Sequence, residues 1–159
     1  MVTTFDTLMC TARKNWRVKT LLTIVCLACQ AVVWEHLSDN GLLLFTHFVY
    51  MFVHVNVWHF LCNMLVLWSI KERVDVLGGI VVAVISSFIP TWYDEITLGM
   101  SGFLFAVFGI MWGHMGRFKD CMKRGMPVIL LTLVLPGVNG LIHFYCYVLG
   151  YVFGKKFSF

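Results

Sequence analysis

The amino-acid sequence predicts an all-α membrane protein that forms a bundle of six transmembrane helices, and three observations support this fold class. Hydrophobic residues make up 60% of the chain and charged residues only 13%, whereas soluble domains average about 25% charged residues. The apolar residues are grouped in long runs, and the basic residues are confined to alternate connections between these runs. A bilayer accommodates so much apolar surface because the apolar side chains can face lipid.

Six apolar segments account for the predicted spans. They run approximately over 18–37, 52–70, 74–90, 101–116, 126–136 and 140–154. The third ends at Pro90, which cannot comfortably continue a helix. The fifth is the shortest, and it is short for a full span. We therefore divide the chain into a short cytoplasmic N-terminal segment (1–17), a six-span domain (18–155) and a cytoplasmic C-terminal tail (156–159).

The distribution of basic residues predicts the orientation of the spans. All 12 Lys and Arg residues lie before or at the start of the first segment, after the sixth, or between segments two and three or four and five. The opposite loops contain instead the acidic residues Glu35, Asp39, Asp94 and Glu95. Because Lys and Arg favour cytoplasmic loops, we expect both termini in the cytoplasm. The net charge of +4 follows from this bias and indicates no nucleic-acid site.

Residues 39–57, between the first two segments, are strongly apolar but are interrupted by polar side chains. We expect this stretch to lie in the membrane interface, where aromatic residues are favoured. Cys26 and Cys29 form a CxxC pair within the first segment. Since no second pair has matching spacing, we interpret these two cysteines as small hydrophobic residues.

Polar residues within apolar spans are energetically costly and usually mark function. The first such cluster is at the start of segment two and contains His54, His59 and Asn63. His59 and Asn63 are four residues apart, so they lie on one side of a helix. Both side chains can donate hydrogen bonds.

A second cluster, Gly99, Ser101 and Gly102, opens segment four. A serine flanked by glycines at a loop-to-helix junction has an accessible hydroxyl. The first N–H groups of a helix lack intrahelical partners. They can therefore stabilise negative charge that develops at Ser101.

The third cluster is centred on His143, near the start of segment six. Gly150 lies about two turns later on the same face, and Gly154 follows at the GxxxG spacing that permits close helix approach. Segment four carries a similar series of small residues, namely Gly102, Gly109, Gly113 and Gly116. We therefore expect these two helices to pack backbone to backbone, with Ser101 and His143 at the same depth and within hydrogen-bond distance.

Together, the three clusters resemble the rhomboid family of intramembrane serine proteases. That family carries HxxxxHxxxN in its second span, GxSG at the start of its fourth and a His followed by glycines in its sixth. The order of the motifs, the span numbers and the membrane side all agree over about residues 18–155. The resemblance implies a minimal six-span rhomboid-like bundle that cleaves transmembrane segments of other membrane proteins near the outer face.

The resemblance also implies a role for each motif residue. Ser101 corresponds to the nucleophile and His143 to the general base, while His59, Asn63 and the Ser101 backbone N–H correspond to the oxyanion hole. Phe105 lies one turn after Ser101, where the family often has an aromatic residue that packs on the base. The residues assigned to support the site are His54, Gly99, Gly102, Phe105, Gly109 and Gly150.

Two other interpretations remain open. A non-catalytic rhomboid-like protein would bind membrane helices without cleaving them. A metal or haem site could use the imidazoles of His54, His59 and His143, although no acidic residue in a span completes such a set. The preferred interpretation requires no cofactor or metal. It names transmembrane proteins and the lipid bilayer as partners, and it makes no prediction of the oligomeric state.

Overall fold

The computed structural model describes residues 4–33, 43–91 and 97–157. Within these ranges the chain forms seven α-helices and no strand, which confirms the predicted all-α class. The helices are α1 (Thr4–Val33), α2 (Leu43–Val49), α3 (Val57–Ser69), α4 (Val76–Ser87), α5 (Ser101–His114), α6 (Phe118–Val134) and α7 (Gly140–Lys156). A single 3-10 turn, Tyr50–Phe52, follows α2.

Helix α5 lies at the centre of the bundle. It contacts α7 most extensively, α4 on a second side, and α3 and α6 less. Every residue of α5 except His114 is buried or half-buried, and Phe103, Ala106, Val107 and Ile110 form its most deeply buried face. A helix that is hydrophobic all round is buried in this way, which explains why the chain wraps its other helices around α5.

Helices α5 and α7 are in direct backbone contact at two glycines. A methyl group placed at Gly109 would collide with backbone atoms of Tyr147 and Tyr151, and one placed at Gly150 would collide with the carbonyl of Ala106. Only glycine allows backbones to approach so closely. The predicted packing of these two helices is therefore confirmed, and we call this contact the glycine seam.

The glycine seam continues towards the C-terminal ends of both helices, with one difference from the predicted series of glycines. Gly113 and Gly154 make equivalent backbone contacts. Gly116 instead lies beyond the end of α5 with φ at +64°, and a methyl group there would meet no atom of the described structure. Its inclusion in the packing series was wrong, because Gly116 serves to end α5 in a left-handed conformation.

Helix α1 begins at Thr4 rather than near residue 18. The N-terminal segment predicted as a separate unit is therefore largely continuous with the first helix. Arg13, Lys14 and Arg17 interrupt the apolar run, but Arg and Lys are good helix formers. The length of the apolar run therefore underestimates the length of this helix.

Helix α6 is also longer than its apolar segment, for the same reason. The helix spans 17 residues from Phe118, whereas the apolar segment covers 126–136. Its first two turns contain charged side chains, so the apolar pattern becomes visible only later. Pro127 lies inside this helix. The helix is thus longer than the apolar segment within it, and the expectation that this apolar segment is short for a full span stays a prediction.

Two polar residues of α1 hold the C-terminal end of α3. Lys19 is only 5% exposed, and its Nζ donates to the carbonyls of Trp68, at 3.3 Å, and Ile70. Asn15 donates to the Ile70 carbonyl at 3.5 Å and accepts from Val74 N at 3.3 Å. A cation at a helix C-terminus is favourable because the unpaired carbonyls there carry partial negative charge.

Across the described ranges, no single helix combines the length and apolarity needed to cross a bilayer. Thr46–Phe52 and Val57–Ser69 meet that requirement only as a pair, with a bend of 79° between them. Helices α4 and α5 are apolar but shorter. The count of six spans stays a prediction.

Some predictions fall on positions that the structure does not describe. The interfacial stretch 39–57 is described only from residue 43, as α2 and the 3-10 turn. Lys156 of the predicted tail ends α7. The residues outside the described ranges include Glu35, Asp39, Asp94 and Glu95 of the orientation argument and residues 158–159 of the tail.

Candidate active site

Ser101 is the first residue of α5, directly after a tight turn at Gly99. The Gly99 N–H donates to the Tyr50 carbonyl at 2.8 Å, and its φ is +122°, a conformation that favours glycine. A Cβ at this position would also collide with the imidazole of His59. Glycine therefore permits both the turn into α5 and the close approach of His59 to it.

His143 lies one turn into α7, whose start is fixed by Asn139. The Asn139 side-chain oxygen accepts from Ile142 N at 3.3 Å, which caps the helix. Its amide nitrogen donates to Thr91 Oγ1 at 3.2 Å and to Thr97 Oγ1 at 2.8 Å. Asn139 thus ties the start of α7 to the connection that leads from α4 into α5.

The structure brings Ser101 and His143 together. His143 Nε2 is 2.8 Å from Ser101 Oγ, and the imidazole is buried, with only 5% of the residue exposed. The ring of Phe105 is stacked on the imidazole, with centroids 4.6 Å apart and planes at 24°. A neutral imidazole with its proton on Nδ1 can accept the serine proton at Nε2.

The His143–Ser101 pair has no third member among the described residues. His143 Nδ1 is buried and makes no hydrogen bond to any residue the structure describes. Phe105 therefore orients the imidazole by stacking, where a carboxylate would orient it by a hydrogen bond.

His54 connects α1 to the turn before Ser101. It is fully buried, and its backbone N–H donates to Gln30 Oε1 of α1 at 2.7 Å. Its Nε2 accepts from Met100 N at 3.4 Å. Both contacts hold backbone in place, and the supporting role that the resemblance implies for His54 stays a prediction.

His59 and Asn63 lie one turn apart on α3, as their spacing predicts. The helix starts at Asn56, whose side chain accepts from His59 N at 2.9 Å. The His59 ring is half-buried and packs against Gly99 and, edge to face, against His54 at 5.4 Å. Asn63 is buried, and its Nδ2 has no hydrogen-bond partner in the described part of the chain. This amide therefore retains a free donor on the helix that faces the start of α5.

Gly102 and Gly150 complete the predicted supporting set. A Cβ at Gly102 would lie 2.8 Å from the hydroxyl of Tyr50 and 3.4 Å from the sulfur of Cys146. Gly150 belongs to the glycine seam, as Gly109 does. The seam keeps the start of α5 close to the start of α7.

Sequence reasoning assigned no role to three residues that shape the site: Gln30, Tyr50 and Asn139. Gln30 had a recognisable signal, because it is an amide within an apolar span. Asn139 had one also, because asparagine directly before a helix is a common N-cap. Tyr50 had none, since it binds Gly99 through its backbone carbonyl and Ala83 O through its hydroxyl at 3.1 Å.

Metal binding by the site histidines finds no geometric support in the structure. Among the described residues, no group of three or more His, Cys, Asp or Glu side chains is arranged to hold a metal ion. The combination of His54, His59 and His143 is therefore not such a group. Cys26 is fully buried and Cys29 half-buried in the bundle, and both are free thiols.

Comparison with known proteins gives one match. A family model described as the Rhomboid domain matches residues 42–155, which include all the polar clusters described above. No curated protein and no solved structure matches the chain.

Proposed function

Because the chain belongs to the rhomboid family of integral membrane proteins, we propose that it is a serine endopeptidase that cleaves transmembrane segments of other membrane proteins. The observation that carries this proposal is the 2.8 Å contact between Ser101 Oγ and His143 Nε2. This distance is within the range at which a base accepts the proton of a nucleophile.

In the proposed first step, His143 Nε2 takes the hydroxyl proton while Ser101 Oγ attacks the scissile carbonyl carbon. The carbonyl oxygen becomes an oxyanion. His143 then gives its proton to the leaving amine, and an ester to Ser101 remains. Water, deprotonated by His143, then attacks this ester; the bond to Ser101 Oγ breaks, His143 returns the proton to Oγ, and the acid product is released.

Stabilisation of the oxyanion is assigned to the Ser101 N–H, His59 and Asn63. The unpaired Asn63 amide and the position of the His59 ring against Gly99 support this assignment. Removal of one such donor from other serine proteases costs roughly 2.7–4 kcal/mol of transition-state stabilisation. The buried position of the site favours such electrostatic stabilisation, because water does not screen it.

The proposed topology has six spans, with both termini cytoplasmic and the reacting pair near the outer face. Ser101 and His143 lie at the first turns of α5 and α7, whereas the basic residues Lys155 and Lys156 lie in the last turn of α7. The reacting pair and the basic residues are thus at opposite ends of the same helices. A substrate helix must unwind at the cleaved bond, because a helical backbone keeps its carbonyls paired.

The first test is labelling of the membrane-embedded full chain with a fluorophosphonate probe, which reacts with activated serines. The wild type and the control Ser69→Ala, an exposed serine at the end of α3, are expected to be labelled equally. Ser101→Ala and His143→Ala are expected to lose labelling, because the first lacks the nucleophile and the second the base. Labelling of Ser101→Ala at the wild-type level would contradict the proposal.

The same variants separate the protease from a non-catalytic binder of membrane helices. The wild type is expected to cleave a single-span model substrate in the same membrane, and Ser101→Ala is expected to bind it without cleavage. Equal cleavage by both forms would show that the activity has another source.

A further inference from the structure

A cavity opens at the end of the bundle opposite to Ser101. It has a volume of about 770 Å³ and is bounded by α1, by the connection from α3 to α4, and by the end of α5. His114, the last residue of α5, lines it. Since α5 rises about 1.5 Å per residue over its 14 residues, the cavity is remote from the reacting pair.

Two arginines from different parts of the chain line this cavity. Arg17 comes from α1 and Arg73 from the connection before α4. Both are exposed, and within the described structure neither guanidinium has a hydrogen-bond or ion-pair partner. Unpaired guanidinium groups are well suited to phosphate, because their N–H groups can donate in pairs to its oxygens.

The negative charge within the cavity is too small to neutralise the two arginine charges. Among the side chains that the structure describes, Asp75 is the single acidic one that lines it. One oxygen of Asp75 already accepts the N–H of Gly78 at 3.0 Å, where it caps α4. The side chains that line the cavity therefore carry more positive than negative charge, and one oxygen of the acidic group is already occupied by the helix cap.

Apart from Asn15 and His114, the remaining wall of the cavity is apolar. Its side chains include Val18, Leu77 and Met111. Leu77 is 75% exposed on the surface of α4 beside the cavity. A ligand that matches this lining has an anionic group for the arginines and a hydrocarbon chain that continues along the apolar wall.

We propose that this cavity binds an anionic phospholipid, with Arg17 and Arg73 on the headgroup phosphate and the first part of an acyl chain against Leu77 and Met111. Basic pockets between the helices of membrane proteins bind anionic headgroups on the cytoplasmic side. The proposed topology puts this cavity on that side. The lipid site rests on the proposed topology and not on the proposed protease activity.

The test is native mass spectrometry of the full chain, purified in detergent and titrated with phosphatidylglycerol or phosphatidylcholine. The wild type is expected to bind phosphatidylglycerol more tightly than phosphatidylcholine. R17Q/R73Q is expected to bind phosphatidylglycerol about 30-fold more weakly, since each basic residue near an anionic lipid surface contributes a factor of about five. Equal affinity of the wild type for both lipids would overturn the proposal.

A matched control removes the same charge elsewhere. K119Q/K123Q changes two exposed lysines of α6 that do not line the cavity, and it is expected to keep the wild-type preference. A loss of preference in this control equal to that in R17Q/R73Q would show that net charge, rather than the cavity, recruits the lipid. R17K/R73K keeps the charge but removes the paired N–H donors of the guanidinium groups. Its affinity for phosphatidylglycerol is therefore expected to lie between those of the wild type and R17Q/R73Q.

A final arm distinguishes a lipid from a free anion. Inorganic phosphate at millimolar concentration is expected to leave bound phosphatidylglycerol in place, because phosphate alone makes no contact with the apolar wall. Displacement by phosphate alone would overturn the lipid assignment.

Discussion

At the scale of single residues, the stacking of Phe105 on His143 is the feature that orients the proposed base. The ring centroids are 4.6 Å apart, and the other imidazole nitrogen has no partner among the described residues. Aromatic pairs of this kind contribute about 0.5–1.5 kcal/mol beyond the area they bury. Orientation of the imidazole should therefore be sensitive to the loss of this one ring.

We predict that Phe105→Leu slows fluorophosphonate labelling of Ser101 by about two- to tenfold, which is the rate equivalent of that stacking energy. Leucine preserves most of the buried volume, so the thermal unfolding midpoint should change little. Phe108→Leu is the control, because Phe108 lies on the same helix in a half-buried position. An unchanged labelling rate in Phe105→Leu would show that the Phe105 ring does not orient the imidazole.

Motifs predicted the residues that meet at the site and several that support them, but not Gln30, Tyr50 or Asn139. Ser101, His143, His59 and Asn63 belong to patterns with a chemical meaning. Tyr50 contacts Gly99 through a backbone carbonyl, and any residue type has that group. No sequence pattern can reveal such a contact.

At the scale of secondary-structure elements, the glycine seam determines how close α5 and α7 lie. The groups that a methyl at Gly109 or Gly150 would meet are backbone atoms of the facing helix. Backbone cannot move aside as a side chain can, so the helices themselves would have to separate.

We therefore predict that Gly109→Ala and Gly150→Ala each destabilise the protein by about 1–3 kcal/mol or more. The measurement is thermal unfolding in detergent, followed by the reaction of buried thiols such as Cys146, which faces Gly102 of α5, with a thiol-reactive dye. Val152→Ala provides the comparison, because Val152 lies on α7 outside the seam and its side chain is exposed. A wild-type midpoint for Gly109→Ala would refute the seam.

Element boundaries were predicted less well than element packing. The spacing of Gly109, Gly113, Gly150 and Gly154 correctly indicated two closely packed helices. The apolar segments do not indicate where α1 and α6 begin, because α1 carries basic residues before its apolar run and α6 begins with charged turns. A run of apolar residues shows which part of a helix lies in an apolar environment. The full extent of the helix depends instead on the helix propensity of each residue, which is high for Lys and Arg as well.

At the scale of the whole molecule, charge is separated along the bundle. The described lysines and arginines occur in α1, in the connection from α3 to α4, around the start of α6 and at the end of α7. Ser101 and His143 lie at the other ends of α5 and α7. This separation is the physical basis of the proposed orientation.

We predict that the C-terminus is cytoplasmic. Full-length fusions in a bacterial host should therefore give a fluorescent green fluorescent protein and an inactive alkaline phosphatase at the C-terminus. A control with one additional spanning helix before the reporter should reverse both results. Active phosphatase on the unmodified chain would contradict the orientation and, with it, the outer position of the site.

The two reacting groups sit on separate helices, and the contact between those helices sets the distance between them. A small opening of that contact would part the hydroxyl from the imidazole long before either helix uncoils, because hydrogen bonds within a helix do not depend on its neighbour. Gentle heating should thus yield a protein that has stopped working while its circular dichroism is still that of the native fold. Loss of activity on heating would then measure the separation of α5 from α7, and loss of circular dichroism would measure the later uncoiling of the helices.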